Sequence, residues 1–176
     1  MQIETARLLL RPMRESDAAQ VFAYSQEANV GPHAGWKPHA SEEETREIMR
    51  RVFLGQENVF AIVPKETGRV MGSVGLIEDP KRENPNARML GYALSEACWG
   101  RGLMTEAVKA VIRHGFENPS IEVISAYCYP YNTRSIRILE KCGFSLEGCL
   151  HRCERRFDGC VLDNLCYVLE RADFTE

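Results

Sequence analysis

The chain of 176 residues is 44% hydrophobic and 27% charged, the balance of a globular domain large enough to bury a core without disulfide or metal staples. Its 22 Lys and Arg against 25 Asp and Glu give a net charge of −3, so no basic excess is present to displace counterions from a phosphate backbone, which argues against general nucleic-acid binding. Near the start the longest apolar run is Leu8 to Leu10, too short for a signal or membrane-spanning segment, and no cationic leader precedes it, so a cytoplasmic protein is expected.

Leu8 to Arg11 opens as a short strand. Ser16-Asp17 then caps a helix whose Ala18, Val21 and Phe22 recur at helical spacing. After a loop rich in Gly, Pro and His, the capping box Ser41-x-x-Glu44 starts a second helix with Ile48, Met49, Val52 and Phe53 as its apolar stripe and Gly55 as its end. Val59 to Val63 and Val70 to Ile77 are β-rich runs joined by Lys65-Glu66-Thr67-Gly68, a hairpin turn. Past a charged loop, Glu78 to Asn86, comes a third run, Met89 to Leu94, and Gly100 to Thr105 leads into a helix with Met104, Val108, Val111 and Ile112 on one face. Val123 to Tyr127 reads as the next strand. Asn132 caps a helix carrying Ile136, Leu139 and Cys142 inward, and Gly143 supplies a left-handed stop. The last strands are Phe144 to about Arg155 and Cys160 to Leu169, turning at Asp158-Gly159. This order, βααβββαβαββ, predicts one α/β (α+β) domain over residues 1–176, a mixed and mostly antiparallel sheet of about seven strands with helices on both faces.

The count of seven cysteines is odd and contains no Cys-x-x-Cys pair, so free thiols are expected. Cys149 and Cys153, four apart in a predicted strand and so on one face, leave a metal pair open; the alternative is that they fill core as small hydrophobes. No metal is assigned.

The sharpest local signal is Cys98-Trp99-Gly100-Arg101-Gly102-Leu103-Met104-Thr105, where a strand ends, glycines turn the chain and an amphipathic helix begins. Unpaired N–H groups at a helix start carry about half a positive charge, and glycines let a phosphate approach. Arg101 adds a charge for a charge-assisted contact. A Walker loop and a dinucleotide fingerprint both fail on spacing. A plain tight turn is the competing account.

Further on, Asn132-Thr133-Arg134-Ser135 opens a helix that ends in Glu140-Lys141-Cys142-Gly143-Phe144, followed by Leu146-Glu147-Gly148. With Gly91-Tyr92-Ala93-Leu94, the glycine turn and the opening Thr5-Ala6-Arg7-Leu8-Leu9-Leu10-Arg11, these motifs resemble the GNAT superfamily of acetyl-CoA-dependent N-acetyltransferases, and within it the branch of ribosomal-protein N-terminal acetyltransferases. The resemblance implies a bulge in the strand Met89 to Leu94, which splays from the next strand so that pantetheine lies in the gap, held by backbone near Leu94 and Ser95. It assigns the pyrophosphate to the turn formed by Trp99, Gly100, Arg101, Gly102, Leu103, Met104 and Thr105, and a further cofactor contact to Asn132. Met104 is bulkier than the turn's usual last residue.

Many superfamily members place a tyrosine late in the last central helix as the acid for the leaving thiolate, and that position is Leu139 here. By resemblance to the branch, Ser135 takes this role, against the alternative that it satisfies a helix-end amide. The branch's base maps to Glu154, against a solvated salt bridge with Arg155 or Arg156; Tyr92 and His151 are lesser candidates. His33, Trp36 and His39 lie in the loop that shapes the acceptor site in the superfamily, although Trp36 can equally cover the core edge. His114 reads as structural. The implied reaction is transfer of acetyl from acetyl-CoA to a primary amine, foremost a peptide or protein N-terminal α-amine, by a monomer or homodimer. A small-molecule amine and a non-catalytic acyl-CoA sensor are the alternatives.

Overall fold

The structure, a computed structural model, describes residues 1–175. Eight strands form one sheet: β1 (Ile3–Glu4), β2 (Leu8–Pro12), β3 (Val59–Pro64), β4 (Gly72–Glu78), β5 (Ala87–Leu94), β6 (Val123–Cys128), β7 (Ser145–Arg155) and β8 (Val161–Glu170). Their order across the sheet is β1-β2-β3-β4-β5-β6-β8-β7. Every ladder is antiparallel except β5 with β6. The eighth strand, β1, is two residues long, too short for any periodicity to announce it. The helices are α1 (Ala18–Ser25), α2 (Gly31–Ala34), α3 (Glu42–Val52), α4 (Leu103–Glu117) and α5 (Thr133–Lys141). α2 is a single turn inside the expected loop.

Alternation along β3 separates the two cores. Phe60 and Ile62 join a buried cluster with Val108, Val111 and Ile112 of α4 and Leu139 of α5, while Ala61 and Val63 join a second with Val21 of α1 and Met49 of α3. Successive strand residues face opposite sides, so a strand buried on both faces reads as a continuous apolar run. Helix α4 lies close over the sheet because Gly115 has no side chain: an added Cβ would sit 2.4 Å from Leu76 and 3.5 Å from Ile124.

The helix signals resolve unequally. Ser41 accepts the Glu44 N–H, and the Glu44 carboxylate reaches back to the Ala40 N–H. Asn132 accepts the Ser135 N–H and Gly143 takes φ 89°. Asp17, expected to cap α1, makes no side-chain cap there; its carboxylate is taken by the Arg11 guanidinium and the Arg14 N–H. Cys149 and Cys153 do not share a regular face, because the β7 register shifts between Leu150 and Glu154. All seven cysteines are free. Among the described residues no helix is long and apolar enough to cross a membrane.

Candidate active site

The parallel ladder between β5 and β6 consists of three residue pairs, from Ala87 opposite Val123 to Met89 opposite Ser125. Beyond Met89 the two strands part. The β4–β5 ladder meanwhile runs unbroken from Glu78 opposite Arg88 to Gly72 opposite Leu94, so the splay occurs without the expected bulge in that register.

Backbone polarity along β5 follows from one bond. The Ser95 N–H donates to the Met71 carbonyl at 2.8 Å, which turns the amides of odd-numbered neighbours toward β4 and those of Tyr92 and Leu94 toward the gap. The Leu94 carbonyl confirms the direction by accepting Trp99 Nε1–H at 2.8 Å. An extended ligand in the gap meets a strand edge whose Tyr92 and Leu94 amides face no neighbouring strand.

A cleft of about 300 Å³ fills the splay. Tyr92, Leu94, Trp99, Gly100, Gly102, Leu103, Met104, Thr105, Asn132, Ser135 and His33, all expected in the site, line it. Gly100 and Gly102 take φ 73° and 74°, the left-handed region, and an added Cβ at Gly100 would meet nothing within 4 Å. These glycines therefore serve backbone conformation more than space. No side chain caps α4, and its first bond runs from the Glu106 N–H to the Gly102 carbonyl, which leaves the preceding amides available to an anion.

Arg101 and Ser95 stand apart from this arrangement. Arg101 pairs with Glu66 at 2.7 Å. Ser95 is buried, with its hydroxyl donating to Glu27 at 2.7 Å. The cationic charge in the cleft comes instead from Arg134, Arg137 and Lys141 of α5, and the Arg134 guanidinium lies 4.0 Å from the Trp99 ring. Sequence reasoning missed this stripe, although its spacing of three and four residues puts all three on one helix face.

Across the cleft the Tyr92 hydroxyl and Ser135 Oγ are 2.7 Å apart. The Ser135 amide is already capped by Asn132, so its hydroxyl is not needed for capping. Burial pushes the Tyr92 hydroxyl well above the ordinary tyrosine range, with the Ser135 bond opposing the shift, and keeps it protonated at neutral pH. Leu139, at the position that the resemblance gives to a tyrosine, is fully buried in the core.

Glu154 is not among the cleft walls. Its Oε1 accepts the Tyr129 hydroxyl at 2.5 Å and its Oε2 the Asn164 amide at 3.0 Å. Among the described residues Glu154 makes no ion pair, so the alternative salt bridge does not form: Arg156 pairs with Asp158 and donates to the Tyr131 hydroxyl. Glu154 adjoins the loop of His33 and Gly35, since an added Cβ on Gly35 would lie 3.2 Å from its Oε1. That loop meets the cleft through Asn132, whose Nδ2 donates to the His33 carbonyl at 3.2 Å.

Trp36 and His39 belong to the second core rather than to the cleft. The Trp36 ring packs on Gly31, where an added Cβ would come within 2.8 Å of it, and on the His39 ring with centroids 5.2 Å apart. His39 is buried against the Thr45 hydroxyl at 2.9 Å. Loop residues of this size close over apolar surface, and here the core-cover account holds. His114 bonds Asn58 and Glu117, a structural setting, and His151 lies out on the β7–β8 hairpin.

A sheet opened at one parallel seam, with a strand edge, an uncapped helix and a cationic stripe around the gap, forms a cleft suited to a long anionic ligand. Residues 7–145 match the family described as the acetyltransferase (GNAT) domain, and the chain belongs to that family of N-acetyltransferases. It is 31% identical over 176 residues to the uncharacterized N-acetyltransferase p20 of Bacillus licheniformis, covering 97% of this chain and 96% of that one. With the [ribosomal protein uS5]-alanine N-acetyltransferase of Escherichia coli it shares 28% identity, over 84% of this chain and 80% of that one. A solved structure of AAC(6')-Ib in complex with ribostamycin and coenzyme A has the same fold, with a TM-score of 0.75, 23% identity and 96% of each chain covered.

Proposed function

We propose that this acyltransferase works as a single domain, moving the acetyl group of acetyl-CoA to a protein or peptide N-terminal α-amine by direct attack in a ternary complex. The observation that carries the reading is the convergence, at one cleft, of the open β5 edge, the glycine turn and the Tyr92–Ser135 hydroxyl pair. Acetyl-CoA supplies an activated thioester carbonyl.

Tyr92 and Leu94 offer backbone groups to the pantetheine arm, the amides from Gly100 to Thr105 receive the pyrophosphate, and Arg134, Arg137 and Lys141 balance the remaining phosphate charge. Asn132 fixes the start of α5 and ties it to the acceptor loop. The amine nitrogen forms the new C–N bond as the C–S bond breaks. Ser135 gives its hydroxyl proton to the departing sulfur while the Tyr92 hydroxyl, hydrogen-bonded to its oxygen, steadies the charge left there, and solvent returns the proton to Ser135 once CoA has left. Glu154 takes the proton released by the attacking nitrogen, directly or through water, with Tyr129 and Asn164 holding both of its oxygens in place. His33 borders the acceptor side.

The choice of an α-amine rests on chemistry and on the ribosomal-protein relative. An amine attacks only when neutral, and an α-amine with pKa about 8 is far more often neutral at pH 7 than a lysine at about 10.4. A small-molecule amine is the second reading, favoured by the aminoglycoside named with the solved relative.

Thermal shifts with acetyl-CoA, CoA, ATP and NAD test the cofactor without an acceptor. Ligand at 100 times its Kd adds about 2.7 kcal/mol, and stabilisation is expected from acetyl-CoA and CoA alone. Mass spectrometry of peptide and small-amine panels then tests the acceptor; acetylation confined to small amines overturns the N-terminal reading. Glu154→Gln with unchanged turnover overturns the assigned base.

A further inference from the structure

Outside the cleft, the β7–β8 hairpin gathers three donor atoms of different chemistry. Cys149 pairs with Leu165 and Leu150 with Asn164 in the ladder, so continuing that register brings His151 opposite Asp163. Residues two apart share a strand face, which places Cys149, His151 and Asp163 on one side of the hairpin. Their Sγ, ring-nitrogen and carboxylate-oxygen atoms all lie within 4.8 Å of one another.

We propose that Cys149, His151 and Asp163 form a binding site for a divalent transition ion of the zinc class. Tetrahedral coordination with bonds of about 2.0–2.3 Å separates donor atoms by roughly 3.3–3.8 Å. His151 Nδ1 is 3.8 Å from Cys149 Sγ and 3.1 Å from Asp163 Oδ2, both within a few tenths of an ångström of those spacings, the Cys149 and Asp163 donors lie within 4.8 Å of one another, and a bound ion would replace the His151–Asp163 ion pair. One sulfur, one imidazole nitrogen and one carboxylate suit zinc and cobalt, whereas magnesium and calcium demand oxygen ligands. The His151 side chain is 78% exposed, which gives an entry path and leaves the fourth position to water.

The hairpin backbone orients the carboxylate. Asp163 Oδ1 accepts the Arg152 N–H at 2.7 Å, leaving Oδ2 turned to His151, the outer contact that metal-ligating carboxylates characteristically have. Arg152 itself takes φ 50°, the one positive value at a non-glycine residue among the described residues. It sits inside the register shift that ends at Glu154 opposite Leu162. An ion on the Asp163 face thus braces the stretch of backbone from which Glu154 projects.

Cobalt(II) alone, titrated into reduced, chelator-treated full-length protein, tests the site. The expected result is a one-equivalent thiolate-to-cobalt charge-transfer band in the near ultraviolet that zinc displaces. Cys149→Ser removes the band and Asp163→Asn weakens binding about tenfold or more, with the asparagine oxygen still able to accept the Arg152 N–H and keep the hairpin folded. Cys153→Ser and Cys160→Ser retain the band. No band at one equivalent, a band that survives Cys149→Ser, or one lost in Cys160→Ser overturns the proposal. Circular dichroism of each variant separates loss of metal from loss of fold, and the readout is independent of acetyl transfer.

Discussion

The Tyr92 hydroxyl, on a strand that has just left its neighbour, lies 2.7 Å from Ser135 Oγ on the first turn of α5. The bond joins the two sides of the cleft, and either hydroxyl can be its donor. Ser135→Ala should lower kcat about a hundredfold, the lower range for loss of a positioned acid, with little change in KM for acetyl-CoA. Tyr92→Phe should lower kcat less, and the double variant should be no worse than Ser135→Ala alone, because two groups that act through one shared hydrogen bond are not additive. Chromatographic measurement of CoA release checks all three, and avoids thiol reagents that the cysteines would consume.

Arg134 stacks on Trp99 beside the helix start proposed for the phosphates. Arg134→Ala should weaken CoA about tenfold, the scale of one charge-assisted contact, and the loss should shrink as salt rises. Arg134→Lys should recover only part, since an ammonium lacks the planar stack. Calorimetric titration at two ionic strengths measures both effects.

Leu139 is fully buried between α5 and the sheet. Leu139→Ala should cost about 2–5 kcal/mol through the cavity it leaves. Val161, exposed near the hairpin end, should change stability by about 0.5 kcal/mol or less when replaced by alanine. Urea unfolding distinguishes the two, with an unchanged m-value showing that the unfolded state is not responsible.

Asp17 is 4% exposed and paired with Arg11 at 2.7 Å. Burial alone would raise its carboxyl, but hydrogen bonds from the Arg11 guanidinium and the Arg14 N–H outweigh that and hold it below the usual range. A folded value lower than the unfolded one, about 3.9, stabilises the native state above about pH 4, and this stabilisation fades as pH falls through the folded value. Asp17→Asn should therefore melt earlier than the parent at neutral pH by a gap that closes on acidification below pH 4. Melting temperatures across that range measure the gap.

Long elements with strong periodicity were legible in the sequence. The α3 cap at Ser41, the α5 cap at Asn132 and the stop at Gly143 each rest on local chemistry that tertiary packing did not disturb. Asp17 misled because a helix-start carboxylate and an ion-pairing carboxylate look alike in sequence, and Arg11, six residues away across a turn, decided between them. Trp36 and His39 misled for a related reason: whether a loop aromatic faces a cleft or a core depends on a neighbour such as Gly31 that only the fold supplies. Glu154 was singled out by motif, but its partners were not, since Tyr129 lies 25 residues away, just past the end of β6.

The narrow seam between β5 and β6 has a mechanical consequence. With three paired residues joining them, the strands from β1 to β5 and those from β6 to β8 behave as two panels sharing one corner, braced from one side by α4 at Gly115. Hydrogen exchange should trace that boundary: the amides of Tyr92 and Leu94, although central in the sheet, should exchange at rates proper to a surface loop. They should slow when a bound pantetheine arm supplies the backbone partners that a neighbouring strand would have provided, making protection at the middle of the molecule a direct reading of cofactor occupancy.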